Sequence, residues 1–226
     1  MRVQCRGLRA REYGVVREII AGAFGDHVRD NPAALEQLEG EPWYDPDHLL
    51  VAEADGEVVS HLGVRDSGLW LGGRWFAAGL VGTVCTREEL RGQGIGSELL
   101  RHAFGWMAQR GLALSLLHTN EQRYAFYERL GYRRAVIEQP RLMADLGRAG
   151  AAREAGVRAA SAADAAALDE IYAATYGRAT GAWARSGPFW ERRIAGIPKL
   201  WSRVVRFAVA GHGSPRAYAA YEEAPG

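Results

Sequence analysis

The stretch TVCTREELRGQGIGSELL (residues 83–100) decides how this chain is read. Its opening residues close a β-rich run from about Trp75 to Thr86. Its closing residues begin a stripe of Ile95, Leu99, Leu100, Ala103, Phe104 and Met107 at helical spacing. Between strand and helix stand Gly92, Gly94 and Gly96. Glycine lets backbone approach a ligand closely, and the first-turn amides of a helix favour an anion. A turn that aims the amides of Gly92, Gln93, Gly94, Ile95, Gly96 and Ser97 outward suits a pyrophosphate, with Arg91 adding a charge-assisted contact.

Two other phosphate-binding motifs are excluded by the residues present. A dinucleotide fingerprint needs Gly or Ala where Ser97 stands, and an acidic ribose ligand about 20 residues on, which is absent. A P-loop needs Gly-Lys-Ser/Thr, which is also absent.

Working outward, Gly111 sits where a helix C-cap is expected, and LALSLLH (112–118) reads as a buried-type strand. NEQRYAFYERL (120–130) reads as a short helix, with Asn120 as N-cap and Gly131 past its end; residues 132–143 resume as strand. Upstream, residues 3–8 form a strand. A helix over 10–24 carries Val15, Val16, Ile19, Ile20, Ala23 and Phe24, and a second helix starts near Asn31-Pro32. Asp55-Gly56 inside LLVAEADGEVVSHLGV (49–64) and Gly72-Gly73 each mark a hairpin. The order β-α-α-β-β-β-α-β-α-β describes an α/β domain on a mixed sheet over residues 1–145.

Residues 146–156 (LGRAGAAREAG) read as a linker. VRAASAADAAALDEIYAATYG (157–177) then parallels residues 3–25 at an offset of 152, which brings Ile19 onto Ile171 and Phe24 onto Tyr176. A second copy of the same fold begins there, over 157–226.

Composition narrows the partners. A formal net charge of +1 argues against nucleic acid, which needs a basic excess. Cys5 and Cys85 make neither a disulfide framework nor a metal-ligand spacing, so a reducing, cytoplasmic setting is expected. The N-terminus lacks a signal-peptide core, and no apolar run approaches the ~18 residues that span a membrane. Residues 26–48 hold Asp26, Asp30, Glu36, Glu39, Glu41, Asp45 and Asp47 against Arg29, with Trp43 and Tyr44 among them. Such a rim would attract a polycationic amine.

RGQGIG (91–96) is similar to the R/Q-x-x-G-x-G/A motif of the GCN-five-related N-acetyltransferase (GNAT) superfamily, and FYERLGY (126–132) resembles its second signature. The resemblance implies a GNAT fold, a mixed central sheet with splayed parallel strands. It implies acetyl-CoA as co-substrate, held by the backbone of Val84, Cys85 and Thr86, by the amides of residues 92–97 and by Asn120 on the pantetheine arm. No metal is implied. Tyr127 matches the tyrosine that protonates the departing CoA thiolate. A thiol near pKa ~8.5 competes for a phenol's proton at ~10 only under tight positioning. The general base stays unassigned: His118 is a candidate, and a base acting through ordered water could come from Glu41, Asp26 or elsewhere. The expected acceptor is a primary amine of a cationic small molecule such as an aminoglycoside or polyamine. A protein lysine or N-terminus is the alternative, and a non-catalytic acyl-CoA sensor is a third reading, against which Tyr127 argues.

LDEIYAATYGRATGAWARSGPFWERRIAG (168–196) and VVRFAVAGHGSPRAYAAYEE (204–223) resemble the opening of the second domain of Eis-type tandem acetyltransferases, and LLHTNEQRYAFYERLGY (116–132) resembles their catalytic segment. Those chains are roughly double the length and carry a third, sterol-carrier-like domain. No R-x-x-G-x-G motif follows residue 150, so this second copy is expected to be partial and without a CoA site. A partial sheet exposes an edge strand, from which a homo-oligomer is expected.

Overall fold

The computed structural model describes residues 2–25, 46–135, 156–177, 179–183, 185, 187–195 and 205–222. The expected helix at Asn31-Pro32, nearly all of the acidic rim, the strand beyond residue 135 and most of the linker lie outside the described residues. The chain divides into two compact units, one of Met1–Leu69 with Trp75–Arg134, the other of Trp70–Arg74 with Ala135–Gly226.

In the first unit, β1 (Val3–Gly7), β2 (Leu49–Ala54), β3 (Glu57–Leu71), β4 (Arg74–Thr86) and β5 (Leu114–Leu116) form one sheet in that order. β1 and β3 run antiparallel to β2, while β5 runs parallel to β4, so the sheet is mixed. Asp55 (φ 51°) with Gly56 (φ 88°), and Gly72 (φ 55°) with Gly73 (φ 76°), supply the paired left-handed residues that tight hairpins need. The helices are α1 (Tyr13–Phe24), α2 (Ile95–Gln109) and α3 (Tyr124–Glu128).

LLVA in β2 is continuously apolar because both sheet faces are covered. Leu50 and Ala52 share a core with Ile95, Leu99, Leu100, Ala103 and Met107 of α2, while Val51 packs with Val16, Ile19 and Ile20 of α1. Val15 departs from the expected stripe: it is exposed, and Ala21 is buried in its stead. α2 lies so close to β4 that a Cβ on Gly79 would overlap the Met107 sulfur. The helix closes with Leu112 N–H on Met107 C=O (3.1 Å) and Gly111 N–H on Ala108 C=O (3.1 Å), Gly111 being left-handed at φ 71°.

Two expected elements come out shorter. The strand over 112–118 contracts to Leu114–Leu116, which is half-buried because it pairs with β4 only opposite Ala78–Leu80. The helix over 120–130 opens as a 3-10 turn, Glu121–Arg123, before α3. Asn120 caps that turn through its extended backbone, its C=O accepting Arg123 N–H at 3.1 Å, and its side chain makes no capping bond.

The second unit holds β6 (Val157–Ala159), α4 (Ala165–Tyr176), α5 (Gly187–Ile194), β7 (Val205–Ala210) and β8 (Ala217–Glu222). Its strands form an antiparallel sheet in the order β6-β7-β8 around Leu168, Tyr172, Trp190, Phe207 and Val209. Trp190 Nε1 donates to Asp169 at 2.8 Å. Within this unit, which includes Trp70–Arg74, Trp70 N–H donates to Ala182 C=O (3.0 Å) and Trp70 C=O accepts Gly181 N–H (2.7 Å).

The offset of 152 recurs in three dimensions. α4 is α1 displaced by 152 positions, and so is the 3-10 turn before it. Arg6 grips the Glu12 carboxylate with two bonds (2.7 and 2.8 Å), as Arg158 grips Asp164 (2.7 and 2.6 Å). Arg9 N–H donates to Glu12 as Ser161 N–H does to Asp164, and Leu8 N–H reaches Leu49 as Ala160 N–H reaches Phe207. Each carboxylate is held below its ordinary pKa by its arginine first.

Candidate active site

The site grows from the place where β4 outruns its partner. Pairing with β5 covers Ala78↔Leu114, Gly79↔Ser115 and Leu80↔Leu116, yet β4 continues to Thr86. An open edge follows. Near Thr86, Ser60 Oγ donates to Cys85 C=O (2.7 Å) and Arg87 N–H donates to Val59 C=O (2.9 Å). Residues 85 and 87 therefore turn their backbone towards β3. Because neighbouring residues of a strand address opposite edges, Val84 and Thr86 turn theirs to the open side. The Thr86 carbonyl there accepts Arg91 Nε at 3.2 Å, and its hydroxyl lies 2.9 Å from Ser60 Oγ. The Cys85 carbonyl is thus occupied, and its thiol is buried and pushed up to about 12, chiefly by that burial.

The glycine turn follows at once. Gly92 (φ 80°) and Gly94 (φ 83°) are left-handed, and Gly94 is the N-cap of α2. Gly94 C=O accepts both Ser97 N–H and Glu98 N–H at 3.0 Å, so the Ser97 amide is already used inside the turn. The amides of Gly92, Gln93, Gly94, Ile95 and Gly96 find no acceptor among the described residues, as expected of the first turn of a helix, whose N–H groups have no intrahelical partner. Gln93 Nε2 reaches back to Glu89 C=O at 3.5 Å, and the Ile95 side chain is buried in the core, leaving its amide alone to face the turn. Arg91 is exposed.

Gly96 ties the pieces together. A Cβ there would lie 3.4 Å from Thr86 Oγ1 and 3.8 Å from Phe126 Cζ, so the end of β4, the first turn of α2 and α3 meet at one point. Beside Phe126 stands Tyr127, only 8% exposed and packed edge-on against Phe126 (4.9 Å) and Tyr132 (5.6 Å). Burial raises its pKa, with the Arg123 charge pulling the other way, and its hydroxyl has no hydrogen-bond partner among the described residues. Asn120 and His118 are both exposed beyond the end of β5.

Three participants escaped the sequence reading. Ser60 and His61 interrupt the otherwise apolar VVSHLGV, and Thr83 sits in β4 at φ 48°. Two adjacent polar residues in a buried strand were the available signal. Among the described residues there is no grouping of three or more His, Cys, Asp or Glu fit to hold a metal, and no helix is long and apolar enough to cross a membrane.

A family model described as an acetyltransferase (GNAT) domain matches residues 4–135. The chain belongs to the GNAT acetyltransferase family. A mycothiol acetyltransferase of Streptomyces bingchenggensis is 30% identical over 118 residues, covering 50% of this chain and 36% of that protein. A GCN5-related N-acetyltransferase of Kribbella flavida matches 99% of this chain and 54% of its own, with a TM-score of 0.68 at 22% identity. Eis1 of Mycobacterium abscessus matches 92% of this chain and 51% of its own, with a TM-score of 0.59 at 20% identity. The GNAT chain thus spans about half the length of those two structures and about a third of that curated relative. The expected α/β GNAT fold with its mixed central sheet is present, and the likeness to Eis1 extends to fold.

Proposed function

We propose that this GNAT chain moves an acetyl group from acetyl-CoA to a primary amine of a small molecule. One observation carries the reading. The open edge at Val84 and Thr86 and the unused amides of Gly92–Gly96 lie beside the contact of Gly96 with Thr86 and Phe126, and the Tyr127 ring packs on Phe126. Acetyl-CoA supplies the activated acetyl group. The amides of Gly92–Gly96 hold its pyrophosphate, reinforced by Arg91. Backbone groups of Val84 and Thr86 pair with the pantetheine arm, to which Asn120 adds a side-chain contact, and a backbone N–H of this edge meets the negative charge that grows on the thioester oxygen. Cys85 contributes through its place in the strand. An uncharged amine attacks the thioester carbon, and Tyr127 gives its proton to the thiolate as the carbon–sulfur bond breaks; the proton shed by the attacking nitrogen passes to solvent, from which Tyr127 is reprotonated. Burial of Tyr127 keeps it protonated until then.

The relatives named for mycothiol favour a small-molecule acceptor over a protein lysine or N-terminus. A cationic acceptor such as an aminoglycoside or polyamine rests on the acidic residues of 26–48, most of which lie outside the described residues. We also read the second unit as a partial GNAT-like repeat of the Eis-type arrangement, without a CoA turn. The shared Arg–carboxylate pair at an offset of 152 supports this, as does the match of 99% of this chain to about half of a longer solved structure. A homo-oligomer formed through an exposed edge strand, and a cytoplasmic setting, belong to the same proposal.

Calorimetry with acetyl-CoA, followed by CoA release across aminoglycosides, polyamines, thiol-bearing amino sugars and peptides, tests the reading. Turnover of a small amine supports it. Binding without turnover of any amine hands the site to the sensor reading, and absence of acetyl-CoA binding removes both.

A further inference from the structure

β4 carries a residue whose backbone does not suit its type. Thr83 is left-handed at φ 48°, a conformation that β-branched residues almost never adopt, while its neighbour Gly82 is not left-handed. Glycine would take this conformation freely. A threonine here therefore points to a requirement for its side chain.

That side chain has a specific partner. Thr83 Oγ1 lies 3.2 Å from Nε2 of His61, whose Nδ1 lies 3.1 Å from Leu50 C=O. A carbonyl only accepts, so Nδ1 carries the ring proton and Nε2 is left to accept from the threonine hydroxyl. His61 is only 2% exposed, and its ring spans from β2 to β4 across β3. Burial pushes its pKa down to about 4, which keeps this neutral tautomer at physiological pH.

We propose that His61 is a positioning residue for acetyl-CoA: through Thr83 it holds the left-handed step in β4 that turns the backbone of Val84 and Thr86 to the open edge. The proposal rests on the acetyl-CoA reading above. Its logic is the two-residue period of a strand. A single left-handed residue shifts the alternation by one, and relaxing it would swap which backbone groups face β3 and which face the open side. The adjacent residue Ser60 holds the far side of the step, at Cys85 C=O and Thr86 Oγ1.

The test uses Thr83→Val, which keeps shape and loses the hydroxyl, and Thr83→Ser, which keeps the hydroxyl. His61→Asn retains a donor near Leu50 but is too short to reach Thr83. Calorimetry with acetyl-CoA should show affinity weakened about tenfold in Thr83→Val and His61→Asn, the size of one well-placed hydrogen bond. Thr83→Ser should stay within about twofold of wild type, and the double variant His61→Asn/Thr83→Val should be no weaker than either single, because both remove one shared bond. In steady state the KM for acetyl-CoA should rise and kcat should fall with it, because the same edge also meets the charge on the thioester oxygen. Unaltered affinity in Thr83→Val, beside a wild type that binds acetyl-CoA, overturns the proposal and leaves the parent reading intact. Additive losses in the double variant overturn it too. A wild type that does not bind acetyl-CoA removes the parent reading itself. If His61→Asn does not fold, the contrast of Thr83→Val with Thr83→Ser decides alone.

Discussion

Tyr132 N–H donates to the carbonyl of Tyr127 at 3.2 Å while the two rings meet edge to face at 5.6 Å. This is a helix ending and a side-chain clamp in one. Gly131 (φ 97°) makes the left-handed turn, its N–H taking Glu128 C=O at 3.0 Å, and the closing aromatic folds back on Tyr127, five positions earlier. Tyr132 is fixed in turn by its hydroxyl, 2.6 Å from Ser115 Oγ on β5, and by Phe104 of α2 at 5.7 Å. The side chain proposed to deliver a proton is thereby anchored to the strand that ends where the site opens.

Tyr127→Phe keeps the ring contacts and removes only the acid. We expect kcat to fall about a hundredfold, with the KM for acetyl-CoA and the melting temperature little changed. Steady-state CoA release and a thermal melt check this. Because burial lifts the Tyr127 pKa above the ordinary phenol value, its ionisation should put no descending limb on the wild-type rate profile below about pH 10.

Gly131→Ala forces a side chain into left-handed backbone, and should cost about 1 kcal/mol of stability and lower kcat by loosening Tyr127. Tyr132→Phe loses the Ser115 bond, and should cost a similar ~1 kcal/mol with a smaller kinetic effect. Denaturant melts and kcat measured on the same preparations test both; unchanged kcat in Gly131→Ala would detach the clamp from catalysis.

Gly79→Ala places a methyl group into the Met107 sulfur. Relief requires α2 to lift from β4, so a loss of about 1–3 kcal/mol is expected by chemical denaturation.

Acid should weaken the first unit before its carboxylates protonate. His61 titrates at about 4 when folded against 6.5 for the free ring, so between those values the unfolded chain binds the extra proton. The contribution is intact above pH 6.5 and is lost as pH falls through 4, worth on the order of a few kcal/mol. Unfolding free energy measured from pH 7 to pH 4 should fall in wild type and fall less steeply in His61→Asn.

Much of this was legible along the chain because the signals are local. Asp55-Gly56, Gly72-Gly73, Gly111 and Gly131 sit at turns or helix ends that require left-handed backbone, and only a few residue types supply it cheaply. The spacing of Leu99, Leu100, Ala103 and Met107 marks the buried face of α2, since 3.6 residues make each turn. Other features could not be read that way. The length of β5 depends on how far β4 offers a partner, and the exposure of Val15 on which part of α1 the sheet covers. The Ser97 amide, expected to face a ligand, is spent on Gly94 C=O, because the helix tightens in its first turn.

The sequence by itself determined a GNAT glycine turn between strand and helix, with a tyrosine-bearing helix some thirty residues later, because phosphate cradles and helix caps are written in neighbouring residues. Only the tertiary structure decided which backbone groups of β4 face the open edge. That depends on one left-handed threonine and on a histidine 22 positions earlier in the chain, whose ring reaches it only after β2, β3 and β4 have come side by side. Hydrogen bonds between strands depend on register, and register is settled by the packing of the whole sheet.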